Sequence, residues 1–287
     1  MKPVIAIVSC YNQGKIIMET IDSLLNQSYK NLKIVIVDDG STDIATINLL
    51  KKLAIEYTTK IEVYFKGNGH VSAARNYGIK GCNSEYIFIS DGDDTYSPQM
   101  IEKFVNELEY NPEVGIVSSW VKTFDLAEWL VKPTGGDVRK FLHKNNCPGQ
   151  AMIRKICWEE AGGYDENMKV GYEDWDFYIA VTSKGWRVSI IKEPLINYRI
   201  ATKSGNIEGY KKRLELIAYI VKKHQSVYEK YLLDVILEKE KAFQEKNLEV
   251  LKRVRTIDDL PEVTFGDGGM AFAITAFSLL NAEKNKN

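Results

Sequence analysis

The first third of the chain alternates between short apolar runs and segments whose apolar residues recur at helical spacing. The apolar runs predict four strands: Val4–Ser9 and Leu32–Val37, which are typical of strands buried on both faces, followed by Ile61–Phe65 and Tyr86–Ser90. The helical spacing covers Lys15–Leu25, the stretch from a capping Asp43 through Leu53, and Ser72–Lys80. This order predicts an α/β fold with a mostly parallel sheet flanked by helices.

The loops that follow the predicted strands are the places to search for function. In open parallel sheets, ligands bind beyond the carboxyl ends of the strands, where these loops meet. The four loops are Cys10–Gly14, Asp38–Asp43, Lys66–His70 and Asp91–Tyr96.

The rest of the chain divides into two stretches of different character. From Asn111 to Tyr198, short strands, Gly-Gly turns and aromatic residues predict a subdomain on the same sheet. Helical spacing in a Lys/Glu-rich context then predicts a helical appendage over roughly 206–255. The predicted domains are therefore 1–204 and a helical C-terminal extension, 205–287. A short apolar segment, Gly269–Asn281, is expected to pack on the protein's own body or on a second copy, as in a homo-oligomer.

Composition narrows the class of protein. The 287 residues are 45% hydrophobic and 27% charged, with a net charge of −1. This balance is that of a globular protein and argues against a dedicated nucleic-acid binder, which needs surplus Lys and Arg. The four cysteines are scattered, as expected of buried thiols in a reducing compartment. With no apolar run of membrane-spanning length and too short an apolar start for a signal peptide, we expect a cytoplasmic protein, free or peripheral at a membrane.

Acidic residues follow the fourth predicted strand directly, as Asp91-Gly92-Asp93-Asp94. Carboxylates in this spacing can present oxygen ligands to Mg²⁺ or Mn²⁺, which share the rest of their shell with substrate phosphates. Taken alone the signal is weak, because ordinary turns are also rich in Asp and Gly.

Polar groups at the other strand ends strengthen the metal hypothesis. Asp39 can accept an N–H from a nucleobase, although Asp and Gly could simply make the bend there. Tyr11 offers a face for base stacking, Asn12 can cap the first helix, and the Arg75 guanidinium could reach phosphate or sugar. Because the chain has neither a P-loop nor a strand-linked G-x-G-x-x-G, these loops predict a nucleotide diphosphate held through metal.

Six stretches in this order resemble the family 2 glycosyltransferases, which have the GT-A fold. They are Val4–Asn12, Ile36–Asp43, Asn68–Gly78, Phe88–Asp94, Ala161–Asp165 and Gly171–Asp176. The likeness covers about residues 3–200. It implies a nucleotide-sugar donor, usually a UDP-sugar, and inversion at the anomeric carbon. The implied acceptor in glycan biosynthesis is a glycan, a lipid-linked sugar or a protein.

The resemblance also implies roles for individual residues. Ser9 and Tyr11 line the base and ribose site, Asp39 contacts the uracil, and Arg75 stands near the diphosphate. Asp91 supports the ribose and the Mn²⁺ or Mg²⁺ ion, Asp93 is the main metal ligand, and Asp174 is the catalytic base. The remaining residues expected to contact substrate are Asn12, Gly92, Glu173 and Trp175.

The chemistry of the implied reaction requires only one catalytic base. A diphosphate leaving group neutralised by a cation needs no protonating acid, so one carboxylate suffices to activate the acceptor hydroxyl. Two local alternatives stay open. Glu173 and Asp174 could be first-turn acids favoured by the helix dipole. Trp175 and Trp158 could stack on a sugar ring or pack in the core.

Three positions depart from the family pattern. The family often has a metal-binding His in Tyr-Arg-x-His, where this chain has Tyr198-Arg199-Ile200-Ala201. Ala180 stands where many members carry an Arg, and His70 stands where Gly is common. The third protein ligand of the metal is therefore in question.

Two other functions compete with glycosyl transfer. Asp91-Gly-Asp-Asp-Thr95 fits the D-x-D-x-T of a haloacid-dehalogenase-like phosphatase, with Asp91 as nucleophile and Asp93 as acid/base. That motif normally opens its fold, whereas here three β-α units precede it. The third hypothesis is a non-catalytic module that binds sugar nucleotides.

Overall fold

The computed structural model describes residues 1–201 and 205–251. The strands are β1 (Val4–Cys10), β2 (Leu32–Asp38), β3 (Ile61–Phe65), β4 (Tyr86–Asp91), β5 (Thr95–Tyr96), β6 (Val114–Asp125), β7 (Leu130–Val131), β8 (Ala151–Arg154) and β9 (Arg187–Ile200). The first helices are α1 (Ile16–Leu25), α2 (Ile44–Glu56), α3 (His70–Gly81), α4 (Met100–Tyr110), α5 (Val138–Phe141), α6 (Lys155–Ala161) and α7 (Glu173–Ser183). The C-terminal helices are α8 (Gly205–Lys211), α9 (Arg213–Lys223), α10 (Gln225–Lys230) and α11 (Leu232–Leu251).

The strands of the described residues form one mixed, largely parallel sheet. Its order is β3-β2-β1-β4-β8-β6-β9-β5, and β7 pairs with β6. The pairs among β3, β2, β1 and β4 are parallel, whereas β8 runs antiparallel to both of its neighbours. The predicted α/β fold is confirmed, and β6, β8 and β9 extend the same sheet.

The first helices form for the reasons that the sequence offers. In α1 the apolar positions Ile17, Ile21 and Leu24 are buried, as the helical spacing predicts. The Asp43 carboxylate accepts hydrogen bonds from Ala45 N and Thr46 N, so it caps α2 as predicted. The parallel register sets Ser9 beside Asp91 and Cys10 beside Asp38, so the carboxyl ends of three strands meet at one sheet edge.

The chain forms two compact units, 1–230 and 231–287. The helices α8, α9 and α10 belong to the first unit, and α11 is the described part of the second. The domain boundary between residues 204 and 205, which rests on composition, stays a prediction. The apolar segment Gly269–Asn281 lies outside the described residues. Within those residues, no helix combines the length and apolar character that crossing a bilayer requires.

Candidate active site

A cleft of about 900 Å³ lies at the carboxyl ends of the parallel strands. Most of the residues predicted to form the site line it, namely Ser9, Tyr11, Asp39, Arg75, Asp91, Asp93, Glu173 and Asp174. Three predicted residues, Asn12, Gly92 and Trp175, are not among the lining residues.

The β1–α1 loop contributes an aromatic face and a hydroxyl. Tyr11 is 50% exposed, so its ring is accessible for stacking. Ser9 Oγ donates to Asp91 Oδ1 at 3.3 Å, which ties the first loop to the fourth strand.

Asn12 has a different structural role from the predicted helix cap. Its Oδ1 accepts hydrogen bonds from Thr42 N at 2.8 Å and from Asp43 N at 2.9 Å. The N-cap of α1 is Lys15, which makes no capping hydrogen bond through its side chain. The prediction that Asn12 caps α1 is therefore wrong, because its amide is taken up by the loop that leads into α2.

Asp39 is held by the third loop. Lys66 Nζ lies 2.6 Å from Asp39 Oδ1, and Gly69 N donates to the same oxygen at 3.0 Å. Asn68 Nδ2 donates to the Asp39 backbone carbonyl at 2.9 Å. The same Gly69 N–H is shared with Asp39 Oδ2 at 3.2 Å, which is longer than its distance to Oδ1. The Oδ2 oxygen retains the capacity to accept a hydrogen bond from a ligand.

Both carboxylate oxygens of Asp91 are engaged by other side chains. Oδ1 accepts from Arg75 Nη2 at 2.9 Å, and Oδ2 accepts from Gln150 Nε2 at 2.8 Å. Gly92 follows because there is no room for a larger residue. A Cβ there would collide with Gln13 Oε1 and come within 3.0 Å of Ser9 O.

Asp93 and Asp94 differ in their partners. Asp94 is buried, and its oxygens accept from Arg199 N at 2.9 Å and Gln150 Nε2 at 2.6 Å. Burial and the charges of Asp91 and Asp93 raise the pKa of Asp94 well above its usual value. Burial, followed by the charge of Asp91, raises the pKa of Asp93 to about 6. Among the described residues, no side chain donates a hydrogen bond to the Asp93 carboxylate.

The donor chemistry at this loop fits a hard divalent cation. Asp91 and Asp93 offer only oxygen atoms, and their mutual repulsion is what a positive charge would relieve. Over the described part of the chain, no group of three or more His, Cys, Asp or Glu side chains is arranged to hold a metal. The protein's own donors therefore form a small set, which leaves coordination positions for phosphate oxygens and water.

Arg75 joins the metal loop to the start of α7. The guanidinium is 2% exposed and bonds Asp91 Oδ1 and Glu173 Oε1, each at 2.9 Å. It also lies over the Tyr164 ring, 5.4 Å from the centroid. Two carboxylates and a ring thus hold one buried cation beside the cleft, and the Nε of this arginine has no hydrogen-bond partner among the described residues.

Asp174 sits in the first turn of α7. Its Oδ2 accepts from Asn145 Nδ2 at 2.9 Å, and its Oδ1 accepts from Trp175 N at 2.7 Å. Burial, followed by the nearby charge of Glu173, raises the pKa of Asp174 to about 7. A carboxylate with this pKa can take a proton near neutral pH, whereas Glu173 is occupied by Arg75.

Of the two tryptophans considered for sugar stacking, Trp175 packs within the protein and Trp158 is half-buried and does not line the cleft. Trp175 is 2% exposed, and its Nε1 donates to Phe141 O at 2.6 Å. Trp158 Nε1 donates to Asn76 Oδ1 at 3.0 Å. For Trp175 the packing alternative fits the structure and sugar stacking does not, because the ring is already covered.

The departures from the family pattern have structural counterparts. Arg199 donates through Nε to Asp93 O at 3.0 Å and through its backbone N to Asp94, so it braces the acidic loop from β9. Ala201 lines the cleft without a ligand atom in its side chain. His70 is exposed and begins α3 at the cleft rim.

Sequence reasoning missed three residues that shape the site: Lys66, Asn145 and Gln150. Lys66 lies in the loop that follows β3, but nothing in the sequence pairs it with Asp39. The two amides lie between Asn111 and Tyr198, where the strand-helix rhythm is irregular. No motif marks them, and their partners are 29 and 59 residues away.

The glycosyl transferase family 2 model matches residues 5–168. The chain is 30% identical over 203 residues to EpsE of Bacillus subtilis (strain 168), a protein named as a glycosyltransferase. That match covers 67% of this chain and 71% of EpsE. The uncharacterized glycosyltransferase RT0329 of Rickettsia typhi is 33% identical, over 62% of this chain and 58% of its own length.

Solved structures agree on the fold. TarS 1-349 of S. aureus in complex with UDP-GlcNAc superposes with a TM-score of 0.63 at 18% identity, covering 76% of this chain and 66% of that one. Against another TarS crystal structure, the chain spans only 39% of the neighbour's length. The family model covers more than half of the chain, which therefore belongs to glycosyl transferase family 2 and has the GT-A fold.

Proposed function

We propose that this glycosyltransferase moves a hexose from a UDP-sugar to an acceptor hydroxyl, with inversion and with help from Mn²⁺ or Mg²⁺. The observation that carries the proposal is one cleft that brings together Asp39, the Asp91–Asp93 pair and Asp174. The TarS structures bound to UDP and UDP-GlcNAc support a uridine nucleotide by analogy of fold.

The nucleotide half of the reaction is assigned to the sheet-edge loops. The uracil would stack on Tyr11 and donate its N3–H to Asp39 Oδ2, which retains accepting capacity. Asp91 and Asp93 would hold the cation, which when bound neutralises charge on the leaving diphosphate. Arg75 adds a fixed positive charge next to Asp91.

The acceptor half is assigned to the start of α7. Asp174 would take the proton of the acceptor hydroxyl while that oxygen attacks the anomeric carbon from the face opposite the diphosphate. The new bond forms to the acceptor oxygen as the bond to the diphosphate oxygen breaks, so the anomeric configuration inverts. Glu173 supports the site indirectly by fixing Arg75. The acceptor would be a glycan, a lipid-linked sugar or a protein.

The decisive variant is Asp174→Asn, which keeps the size of the side chain but removes the base. We expect the dissociation constant for UDP-GlcNAc to stay within about a few-fold, because the nucleotide contacts lie elsewhere, while the rate of UDP release falls ~10²–10⁴-fold. Glu173→Gln is the comparison variant, and its rate of UDP release should fall by less than that of Asp174→Asn. The rate of the native enzyme should rise with pH through about 7, because the base works only when deprotonated.

The same measurements separate the competing functions. Transfer or hydrolysis at the wild-type rate in Asp174→Asn would reject the base assignment. Tight UDP binding without any UDP release from UDP-sugars in the native chain would favour a binding module. Phosphate release from a generic phosphomonoester would favour the phosphatase mechanism, in which Asp91 would have to leave its bonds to Arg75 and Gln150.

A further inference from the structure

The segment Asn145–Gln150 contacts both carboxylate centres of the proposed reaction. At one end, Asn145 Nδ2 donates to Asp174 Oδ2 at 2.9 Å. At the other end, Gln150 Nε2 donates to Asp91 Oδ2 at 2.8 Å and to Asp94 Oδ2 at 2.6 Å. One short stretch of chain therefore links the proposed base to the acidic loop.

The segment is held by bonds that do not depend on a ligand. Tyr178 Oη donates to Pro148 O and Ser118 Oγ donates to Gln150 O, each at 2.6 Å. Asn146 Nδ2 donates to Thr134 Oγ1 and Gly135 O, each at 2.8 Å. The position of Asn145 is thus fixed before any substrate binds.

We propose that Asn145 is a positioning residue for Asp174, which it holds in the orientation and ionised form needed to take the acceptor proton. The proposal rests on the function proposed above, in which Asp174 is the base. Asn145 would act through its hydrogen bond and would not itself touch the reacting atoms.

The geometry explains why an amide suits this place. Trp175 N anchors Oδ1 and Asn145 anchors Oδ2, so the plane of the carboxylate is set by two donors. An amide donor favours the ionised carboxylate without adding a charge that would make it a poor base. A lysine here would stabilise the anion further and reduce its basicity.

The other ionisable groups near Asp174 cannot substitute for this bond. Glu173 opposes ionisation and Arg75 favours it, while four further groups lie close enough to interact electrostatically. These four are Cys147, Tyr164, Tyr178 and Tyr198. Burial raises the pKa of each of the four, so they stay neutral near pH 7 and donate no charge.

The test is a carboxyl ¹³C NMR titration of the full chain, with Asp174→Asn used to assign the resonance. We expect Asn145→Ala to raise the pKa of Asp174 from about 7 by about 1, the effect of losing one hydrogen bond to a charged group. Asn145→Asp adds a like charge and should raise it further. Asn146→Ala is the matched control, because it removes bonds that hold the segment and none to Asp174.

Activity adds a second readout. At pH 7, Asn145→Ala should release UDP from UDP-GlcNAc several-fold more slowly with an unchanged KM, and the acid limb of its pH profile should move up with the pKa. An unchanged pKa of Asp174 in Asn145→Ala would overturn the proposal. So would equal pKa shifts in Asn145→Ala and Asn146→Ala, since loosening of the segment would then suffice. A shifted pKa combined with full activity of Asp174→Asn would instead overturn the base assignment.

Discussion

The carboxylates in the cleft differ in the number of hydrogen bonds that each accepts from the rest of the protein. Asp91 accepts from Ser9, Arg75 and Gln150, and Asp94 accepts from Gln150 and Arg199. Asp93 receives no such side-chain donor within the described residues, yet its charge is costly enough to raise its pKa to about 6. A half-buried acid that accepts no side-chain hydrogen bond among the described residues is the one whose lone pairs are available, so Asp93 is the expected main metal ligand.

The prediction for Asp93 concerns linkage between metal and nucleotide. UDP should bind native protein more tightly with Mn²⁺ or Mg²⁺ than with EDTA, because the ion contacts both carboxylate and diphosphate. In Asp93→Ala this gain should disappear. Calorimetric titration of UDP into both proteins measures this gain, with Asp22→Ala, an exposed acid on α1, as the control. Equal metal dependence in the native protein and Asp93→Ala would contradict the assignment.

Asp39 leads to a prediction about base choice. Its carboxylate can accept the N3–H of uracil or thymine, while guanine presents a different pattern of donors and acceptors. UDP, and after it dTDP, should therefore bind better than GDP. Asp39→Ala should weaken the binding of uridine nucleotides and reduce the difference in affinity between UDP and GDP.

Nucleotide competition against a labelled UDP-sugar tests this preference. Asp43→Ala is the control, because it removes the cap of α2 and should lower the unfolding temperature without changing the nucleotide preference. A native protein that prefers GDP would refute the role of Asp39.

At this scale, the sequence predicts residues that sit in motifs and misses those that only meet in space. Asp39, Arg75, Asp93 and Asp174 follow strand ends or belong to ordered stretches, and they line one cleft. Gln150 is a single amide that becomes informative only when folding brings it to Asp91. Periodicity could not decide between packing and stacking for Trp175, because both uses need the same aromatic side chain.

Among the elements, α7 and its N-cap make several polar contacts with α9 and with His224, the C-cap of α9. Asp176 is 1% exposed, and its oxygens lie 2.7 Å from Lys223 Nζ and 2.8 Å from His224 Nε2. Arg213 Nη1 donates to Tyr172 Oη at 2.8 Å, at the N-cap of α7. Tyr172 adopts a left-handed conformation, φ 64°, which is uncommon outside glycine. Contacts from α9 therefore flank the turn that carries Asp174.

A substitution on α9 should consequently weaken the unit that carries the site. Lys223→Met leaves the buried Asp176 with His224 as its remaining basic partner among the described residues, and it also breaks the Lys223–Asp165 pair of 2.7 Å. Because Lys223 is partly exposed, we expect a loss of about 1–3 kcal/mol in the free energy of unfolding. The neighbouring exposed residue provides the control, Lys222→Met, which should change stability by less than about 0.5 kcal/mol. Urea unfolding measures both, and equal losses would contradict the role of Lys223.

Regular elements were predictable where local pattern and burial agree. The runs at β1, β2 and β4 are apolar because most of their side chains are buried, whereas β3 lies at the edge of the sheet and exposes Tyr64 and Phe65. The parallel pairing of β6 with β9 was not predictable, since the strands are separated by β7, α5, β8, α6 and α7. The helix α7 buries residues around most of its circumference, so its apolar pattern lacks the one-sided stripe of a surface helix.

For the whole molecule, composition and contacts divide the chain at different places. The composition changes near 205 because many of the described side chains of α8 to α10 are exposed, with Lys, Arg and Glu recurring among them. The contacts nevertheless place those helices in the first unit, where Ile220 and Tyr228 are buried. A homo-oligomer formed through the extension stays a prediction.

Two truncated fragments test whether the unit that carries the site ends at residue 204 or at residue 230. A fragment of residues 1–230 retains the cleft, Lys223 and His224, so it should unfold cooperatively and bind UDP within about a few-fold of the full chain. A fragment of residues 1–204 removes both basic partners of Asp176 together with the buried side chains of Ile220 and Tyr228, so it should unfold at a lower temperature than the 1–230 fragment. Thermal unfolding and UDP titration of the two fragments give the measurement. If 1–204 were as stable as 1–230, α8 to α10 would be an appendage, and their contacts with α7 would not be needed to hold the base in place.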